Sequence, residues 1–162
     1  MTATTPPAEF PLPVIVDTRE QHPFEFAGLT CAIRGRPLVV RTARLALPSG
    51  DYSLGGWQHQ VAIERKSASD LVGTVGQSRA RFQRELVRMA ALKVAAVVVE
   101  AEWSELMFFP PPYSKLHPKV LLCSIVAWQR QFPTVHWWFL PGRRAAEIVT
   151  FRMLEQFYRS QR

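Results

Sequence analysis

Residues 50–66 read Gly50-Asp51-Tyr52-Ser53-Leu54-Gly55-Gly56-Trp57-Gln58-His59-Gln60-Val61-Ala62-Ile63-Glu64-Arg65-Lys66, and this stretch decides the fold. Asp51-Tyr52-Ser53-Leu54 and Gln60 to Lys66 are β-type runs, and Gly55-Gly56 offers a turn between them. The hairpin brings Asp51 and Glu64 to one end of a sheet. Side chains alternate along a strand, so Glu64 and Lys66 share a face while Arg65 points to the other. The result is an Asp, twelve residues, then Glu-x-Lys. Two carboxylates of this kind offer hard oxygen ligands to a divalent cation. The cation acidifies a water and offsets charge on a phosphate, and the lysine ammonium orients or polarises that water. A bare Asp…Glu-x-Lys is common in proteins; its placement at the ends of paired strands gives it weight.

An upstream apolar run, Val14-Ile15-Val16, ends on Asp17, a third candidate carboxylate, followed by Thr18-Arg19-Glu20. After Lys66, Ser67-Ala68-Ser69-Asp70 reads as a capping box opening a helix, which gives Asp70 a structural role to set beside a chemical one.

Together, Val16-Asp17-Thr18-Arg19-Glu20, Gly50-Asp51-Tyr52 and Glu64-Arg65-Lys66-Ser67-Ala68-Ser69-Asp70 resemble the signature of the XPF-type nuclease domain of XPF, Hef and related structure-specific endonucleases. The resemblance runs on through Ser78-Arg79-Ala80-Arg81-Phe82, Ala96-Val97-Val98-Val99-Glu100 and Leu116-His117-Pro118-Lys119, spanning about residues 14–159. It implies an α/β fold with a restriction-endonuclease-like core, a mixed central β-sheet flanked by helices. It further implies a Mg²⁺- or Mn²⁺-dependent DNA endonuclease acting on flaps, forks or recombination junctions, in DNA repair or recombination. Carried over by position, Asp17, Asp51 and Glu64 match the metal-site acids and Lys66 the catalytic lysine. Arg19, Glu20, Arg65 and Asp70 match supporting charged positions. Larger family members add a tandem helix-hairpin-helix domain, some also a helicase. The chain ends at Arg162, and the expectation is a minimal nuclease. Two alternatives stay open: a non-catalytic DNA-binding partner domain on the same fold, and a nuclease acting on unbranched duplex.

Composition agrees with one folded domain. The chain has 162 residues and 48% hydrophobic content, enough for a proper core and too apolar for disorder. Cys31 and Cys123 lack metal-type spacing and read as reduced structural thiols. No apolar run approaches the roughly 20 residues of a membrane span, and no signal sequence opens the chain. The expected location is intracellular: cytoplasmic, or nuclear in a eukaryotic host.

Net charge is +7. Residues 1–60 balance five basic against five acidic residues, so the excess lies beyond them. Much of it sits where Arg79, Arg81, Arg84, Arg88 and Lys93 face the single acid Glu85. Phe82, Leu86 and Met89 form the apolar stripe of that helix, and Arg81, Arg84 and Arg88 lie together on another side. Beside a nuclease motif the basic side reads as a surface that tracks DNA phosphates without reading sequence. Arg79, Arg81, Arg84 and Arg88 are its candidate DNA-binding residues.

Residues 1–13 hold four prolines and read as a flexible arm, with the nuclease domain over 14–162. Strands are expected at about 14–17, 38–45, 51–54 and 60–66. Helices at about 68–76 and 79–92 and a buried strand at 95–100 follow. Phe108-Phe109-Pro110-Pro111-Pro112-Tyr113 must be loop. A helix at about 118–131, a strand at 135–139 and a last helix from about Arg143 to Tyr158 complete the chain. The four histidines are scattered singly and read as structural, His117 being the one to revisit. Val149, Met153 and Phe157 make an apolar stripe on the last helix, widened by Ile148, Phe151 and Tyr158. The resemblance implies pairing through this region, so a C2 homodimer through the C-terminal helices is expected.

Overall fold

The computed structural model describes residues 6–31 and 35–162. Nine strands and five helices occur among them: β1 (Ala8–Glu9), β2 (Val14–Asp17), β3 (Leu29–Thr30), β4 (Pro37–Val39), β5 (Thr42–Leu45), β6 (Tyr52–Leu54), β7 (Val61–Lys66), α1 (Ala68–Gly76), α2 (Arg79–Ala90), β8 (Val94–Val99), α3 (Trp103–Phe108), α4 (Pro118–Gln131), β9 (Val135–Phe139) and α5 (Arg143–Ser160). Six strands form a mixed sheet in the order β5-β2-β6-β7-β8-β9, and β1-β4-β3 form a small second sheet. Strand β6 is antiparallel to both β2 and β7, whereas β2–β5, β7–β8 and β8–β9 are parallel.

The large sheet is covered on both faces. On one, α5 and the small sheet bury Phe10, Phe24, Phe26, Phe151, Leu154 and Phe157 against Val16, Tyr52, Ile63 and Val98. On the other, α1 to α4 bury Leu71, Phe82, Leu86, Leu106, Ile125 and Trp128 against Ala95, Val97, Val99 and Val135. Strand β8 therefore has no polar side: five of its six residues are buried, the pattern of a strand sealed on both faces.

The expected strand at 38–45 is two strands in two sheets. Phe10-Pro11-Leu12-Pro13 interrupts the neighbouring segment, because proline has no N–H for a ladder. On either side of that break β1 runs parallel to β4 and β2 parallel to β5. Phe10 N–H donates to Val39 O and Val14 N–H to Arg41 O, each at 2.9 Å.

Several further expectations need correction. The arm at 1–13 is anchored where it is described: β1 is paired, and Phe10 is 4% exposed with its ring edge-on to Phe151 and Tyr158. Residues 1–5 of that arm lie outside the described residues. A short helix, α3, precedes the proline loop, with Glu102 N–H donating to Glu105 Oε2 at 2.9 Å. The α5 stripe belongs to the chain's own core: Phe151, Leu154 and Phe157 are buried, and Met153 packs against them. Helices α4 and α5 cover opposite faces of the sheet. Cys123 is exposed, hence no structural core thiol. His117 caps α4, its Nδ1 accepting from Lys119 N–H at 3.1 Å.

Truncating Phe10 tests the anchored arm. A buried Phe→Ala change costs about 3–5 kcal/mol in a core. Phe10→Ala is expected to lower urea-unfolding stability by about 3 kcal/mol; an unchanged midpoint would mean the segment is loose in solution.

Candidate active site

Strand pairing at the mouth of the β6–β7 hairpin places the first carboxylate. Asp51 N–H donates to Ile63 O at 2.9 Å, and Asp51 Oδ2 accepts Arg65 N–H at 2.8 Å. Gly50, just before it, sits at φ +71°, where a Cβ would lie 3.1 Å from both the Ala62 Cβ and the Ile63 carbonyl oxygen. Only glycine suits that backbone and that space. Gly50 N–H donates to Glu85 Oε1 at 2.8 Å, so α2 fixes the turn from which Asp51 projects.

Alternation along β7 separates two kinds of chemistry. On the face covered by α1 to α4, Glu64 Oε1 and Lys66 Nζ are 2.7 Å apart, and the ammonium lies 4.8 Å from the Phe82 ring centre. On the other face the Arg65 guanidinium holds Glu100 through two hydrogen bonds of 2.7 and 3.0 Å and reaches Glu20 at 3.4 Å. Arg65 is thus a framing residue that positions Glu20. Glu20, Asp51, Glu64, Lys66 and Glu85 line one open cavity of about 820 Å³, together with Arg81 and Arg88 of α2.

Crowded buried acids decide the protonation. Asp51 is raised well above the usual carboxylate range by burial and then by the charge of Glu64, with the Arg65 N–H opposing. Glu64 is also raised by burial, against the pull of Lys66's charge and hydrogen bond. Burial alone would lower Lys66, but the charge and hydrogen bond of Glu64 outweigh it and leave the ammonium raised. Lys66 is therefore a cation here and suits orientation of a water or stabilisation of negative charge, not proton abstraction.

A divalent cation fits this donor set. Two carboxylates held close without enough neutralising charge are what such an ion relieves. Among the described residues no cluster of three or more His, Cys, Asp or Glu forms a ready-made metal cage. Magnesium is commonly held by one or two carboxylates, with waters and substrate phosphate completing its shell. Asp51 and Glu64 are the residues that would hold it.

Asp17, expected among the metal ligands, has its oxygens taken by other donors. It does not line the cavity. Its Oδ1 accepts from the Arg19 backbone N–H at 2.8 Å and Arg19 Nε at 2.6 Å; its Oδ2 accepts from Leu47 N–H at 2.7 Å and Arg19 Nη2 at 2.9 Å. Burial alone would raise its pKa, but these hydrogen bonds and the guanidinium charge leave it lowered. Asp17 clamps the loop after β2, and Glu20 is the acid of that motif that reaches the cavity. Arg19 makes the same clamp, with its side chain 71% exposed, and also borders the cavity. Asp70 completes the α1 capping box, accepting from Ser67 Oγ at 2.6 Å, and also borders the cavity.

The basic helix divides as well. Arg81 and Arg88 line the cavity, and Arg88 also pairs with Glu85. Arg84 is exposed and outside the lining. Arg79 points inward, donating to Ser124 Oγ at 2.7 Å with its guanidinium 4.9 Å from the Trp128 ring centre. Glu85 is a site residue that none of the sequence motifs marks. Its signal was present: it is three residues from Phe82 and four from Met89, within the stripe that faces the sheet.

The family described as the ERCC4 domain matches residues 16–150. The chain belongs to the ERCC4 domain family. This is the XPF nuclease family that the sequence motifs resemble. Among solved structures, the ERCC4 domain here is similar to XPF from Aeropyrum pernix, with a TM-score of 0.64 and 19% identity over 88% of this chain and 60% of that one. It is also similar to XPF from Aeropyrum pernix in complex with DNA, with a TM-score of 0.58 and 20% identity over 93% of this chain and 66% of that one. The chain thus spans about two thirds or less of the solved chains it resembles, and the likeness shows a shared fold. No curated protein matches the chain.

The Asp17 clamp has a pH signature. In the folded ERCC4 domain the Asp17 carboxyl is held below its ordinary value of 3.8. Its stabilising contribution is therefore complete above the unfolded value and disappears as pH falls through the lower folded one. Asp17→Asn turns an acceptor into an amide facing donors and is expected to cost about 1–3 kcal/mol at neutral pH. Urea unfolding should show that difference shrinking below about pH 4. A constant difference down to pH 2 would remove the charge-based account.

Proposed function

We propose that this ERCC4 domain is a divalent-metal-dependent DNA endonuclease that hydrolyses one phosphodiester beside a branch in duplex DNA. The observation that carries the reading is the meeting of Asp51, Glu64 and Lys66 in one open cavity that also contains Arg81 and Arg88. Two crowded carboxylates beside a protonated lysine suit hydrolysis at phosphorus; a cavity built only to grip DNA phosphate would have no use for buried acids. That contrast weighs against a non-catalytic partner domain.

Each side chain has a definable part. Asp51 and Glu64 would hold Mg²⁺ or Mn²⁺, which when bound lowers the pKa of water and offsets charge on the phosphate. Lys66, kept protonated by Glu64, orients the attacking water and shares the developing negative charge. Arg81 and Arg88 draw the scissile strand's phosphates into the cavity. Arg65 and Glu85 act through others: one fixes Glu20, the other holds the Gly50 turn. The DNA in the Aeropyrum pernix XPF complex supports nucleic acid as the substrate class here.

Cleavage assays on flap, fork, four-way junction and linear duplex, with and without Mg²⁺, test the reading. Cutting of branched DNA that needs the ion is the expected result. Asp51→Asn and Glu64→Gln should abolish it while DNA affinity stays within a few-fold. Lys66→Ala should lose cutting and still bind the ion. Wild-type cutting by Asp51→Asn would end the catalytic assignment, and equal cutting of linear duplex would end the branch preference.

The arginines give an independent measurement. Each lost phosphate contact reduces the salt slope of log K by roughly 0.7–0.9. Arg81→Ala with Arg88→Ala should flatten the slope accordingly on all DNA forms, whereas Arg79→Ala should destabilise the fold without that change. An unchanged slope in the double variant would assign these arginines to the solvent.

A further inference from the structure

A second cavity, of about 880 Å³, lies beside the first. The two share Ser69 and Gly73 on α1. Its far wall is the proline loop after α3, with Pro111, Pro112 and Tyr113 facing Val72 and Leu116. Among the described residues the lining contains one charged group, Lys115, and no acid. Tyr113 is 97% exposed, and Phe109 in the same loop is 79% exposed. Three consecutive prolines restrict this loop's backbone and so hold the aromatic ring in solvent at low entropic cost.

The floor between the cavities is unusual for a helix. Gly73 lies inside α1 and Gly76 is its last residue, although glycine is a poor helix former. A Cβ at either position would meet nothing within 4 Å. Packing inside the chain therefore does not require these glycines, in contrast to Gly55, where a Cβ would lie 2.9 Å from Pro13. What they leave is a low path across α1, from the acids to the aromatic loop.

We propose that this second cavity binds unpaired nucleotides of the cleaved strand: the sugar–phosphate chain crosses α1 at Gly73, a base stacks on Tyr113, and Lys115 draws a phosphate. The assignment rests on the endonuclease reading, which places a phosphodiester in the first cavity. Three observations favour single-stranded nucleic acid over a protein partner. The cavity adjoins the catalytic one across Ser69 and Gly73, its charged lining residue among those described is positive in a chain of net charge +7, and its aromatic ring is free to stack. Positive grooves with stacking rings are the ordinary means of holding single strands. The site gives the domain a way to select a branch, because only a strand that leaves its duplex can follow the path over α1.

Binding of a fluorescein-labelled deoxythymidine oligomer of about ten nucleotides, measured by anisotropy in EDTA, tests this without turnover. Tyr113→Ala should weaken the oligomer about tenfold, as loss of one stacked base does, and leave affinity for a blunt duplex of equal length unchanged. Gly76→Leu, which raises a side chain on the path outside the catalytic cavity, should weaken the oligomer likewise while thermal stability stays level or rises. Wild-type oligomer affinity in both variants would overturn the proposal and leave the loop as a docking site for a protein. Equal losses on oligomer and duplex would overturn it too, since only general attraction would then be at work. A parallel cleavage assay separates the two readings. If wild type cuts no DNA yet both variants lose oligomer binding, the nuclease assignment falls and the strand site stands; if wild type cuts forks and the variants bind as wild type does, the reverse holds.

Discussion

The hydrogen bond from Arg65 N–H to Asp51 Oδ2 is the contact on which the site depends. It makes an acid of the site into the next rung of the β6–β7 ladder, directly after Asp51 N–H to Ile63 O. Strand pairing then sets the distance between Asp51 and Glu64. The same residue works a second time through its side chain. Arg65 binds Glu100 and Glu20, and Glu100 also meets Arg143 at the start of α5 at 3.2 Å. Arg143 in turn donates to the carbonyls of His22 and Pro23 at 2.8 and 2.7 Å. The loop after β2, the end of β8 and the first turn of α5 are thereby tied together by two guanidiniums that share Glu100.

That arrangement divides labour between the faces of β7. Arg65 looks toward α5, where its charge is neutralised by acids and its plane lies near Phe24. Glu64 and Lys66 look toward α2, where neutralisation is incomplete. A buried pair that is fully satisfied rigidifies a fold, and one that is left short of positive charge invites a ligand. Asp17 and Asp51 show the same contrast between neighbouring strands. Asp17 is saturated by donors and held below its ordinary pKa, whereas Asp51, with one backbone donor, is raised by its burial and then by an acidic neighbour. Two aspartates of similar sequence context thus receive opposite roles from what surrounds them.

Packing on the face covered by α1 to α4 also explains why α2 carries both basic residues and Glu85. Its stripe of Phe82, Leu86 and Met89 is buried against the sheet, and Glu85 enters on the edge of that stripe to hold Gly50. The arginines one turn to either side, Arg81 and Arg88, consequently arrive at the cavity. The position of the basic surface is set by core packing, while its charge is set by the remaining residues of the helix.

Local order in the sequence determined the hairpin, the Glu64/Lys66 face, the Ser67–Asp70 cap, and the existence of α2, β8, α4, β9 and α5. Period-2 alternation, turn glycines and capping residues act over a few positions, so they are legible without partners. Segments whose fate depends on distant neighbours were not legible. Residues 38–45 divide because Pro11 and Pro13, between β1 and β2, break the ladder beside them. Phe10 is buried by Phe151, far along the chain, and the α5 stripe found its cover in the sheet of its own chain. The assignment of Asp17 to a clamp and of Glu20 and Glu85 to the cavity came only with tertiary structure. A carboxylate's role is fixed by the donors and charges packed around it, and those arrive from Leu47, Arg65 and Gly50, which no local pattern connects.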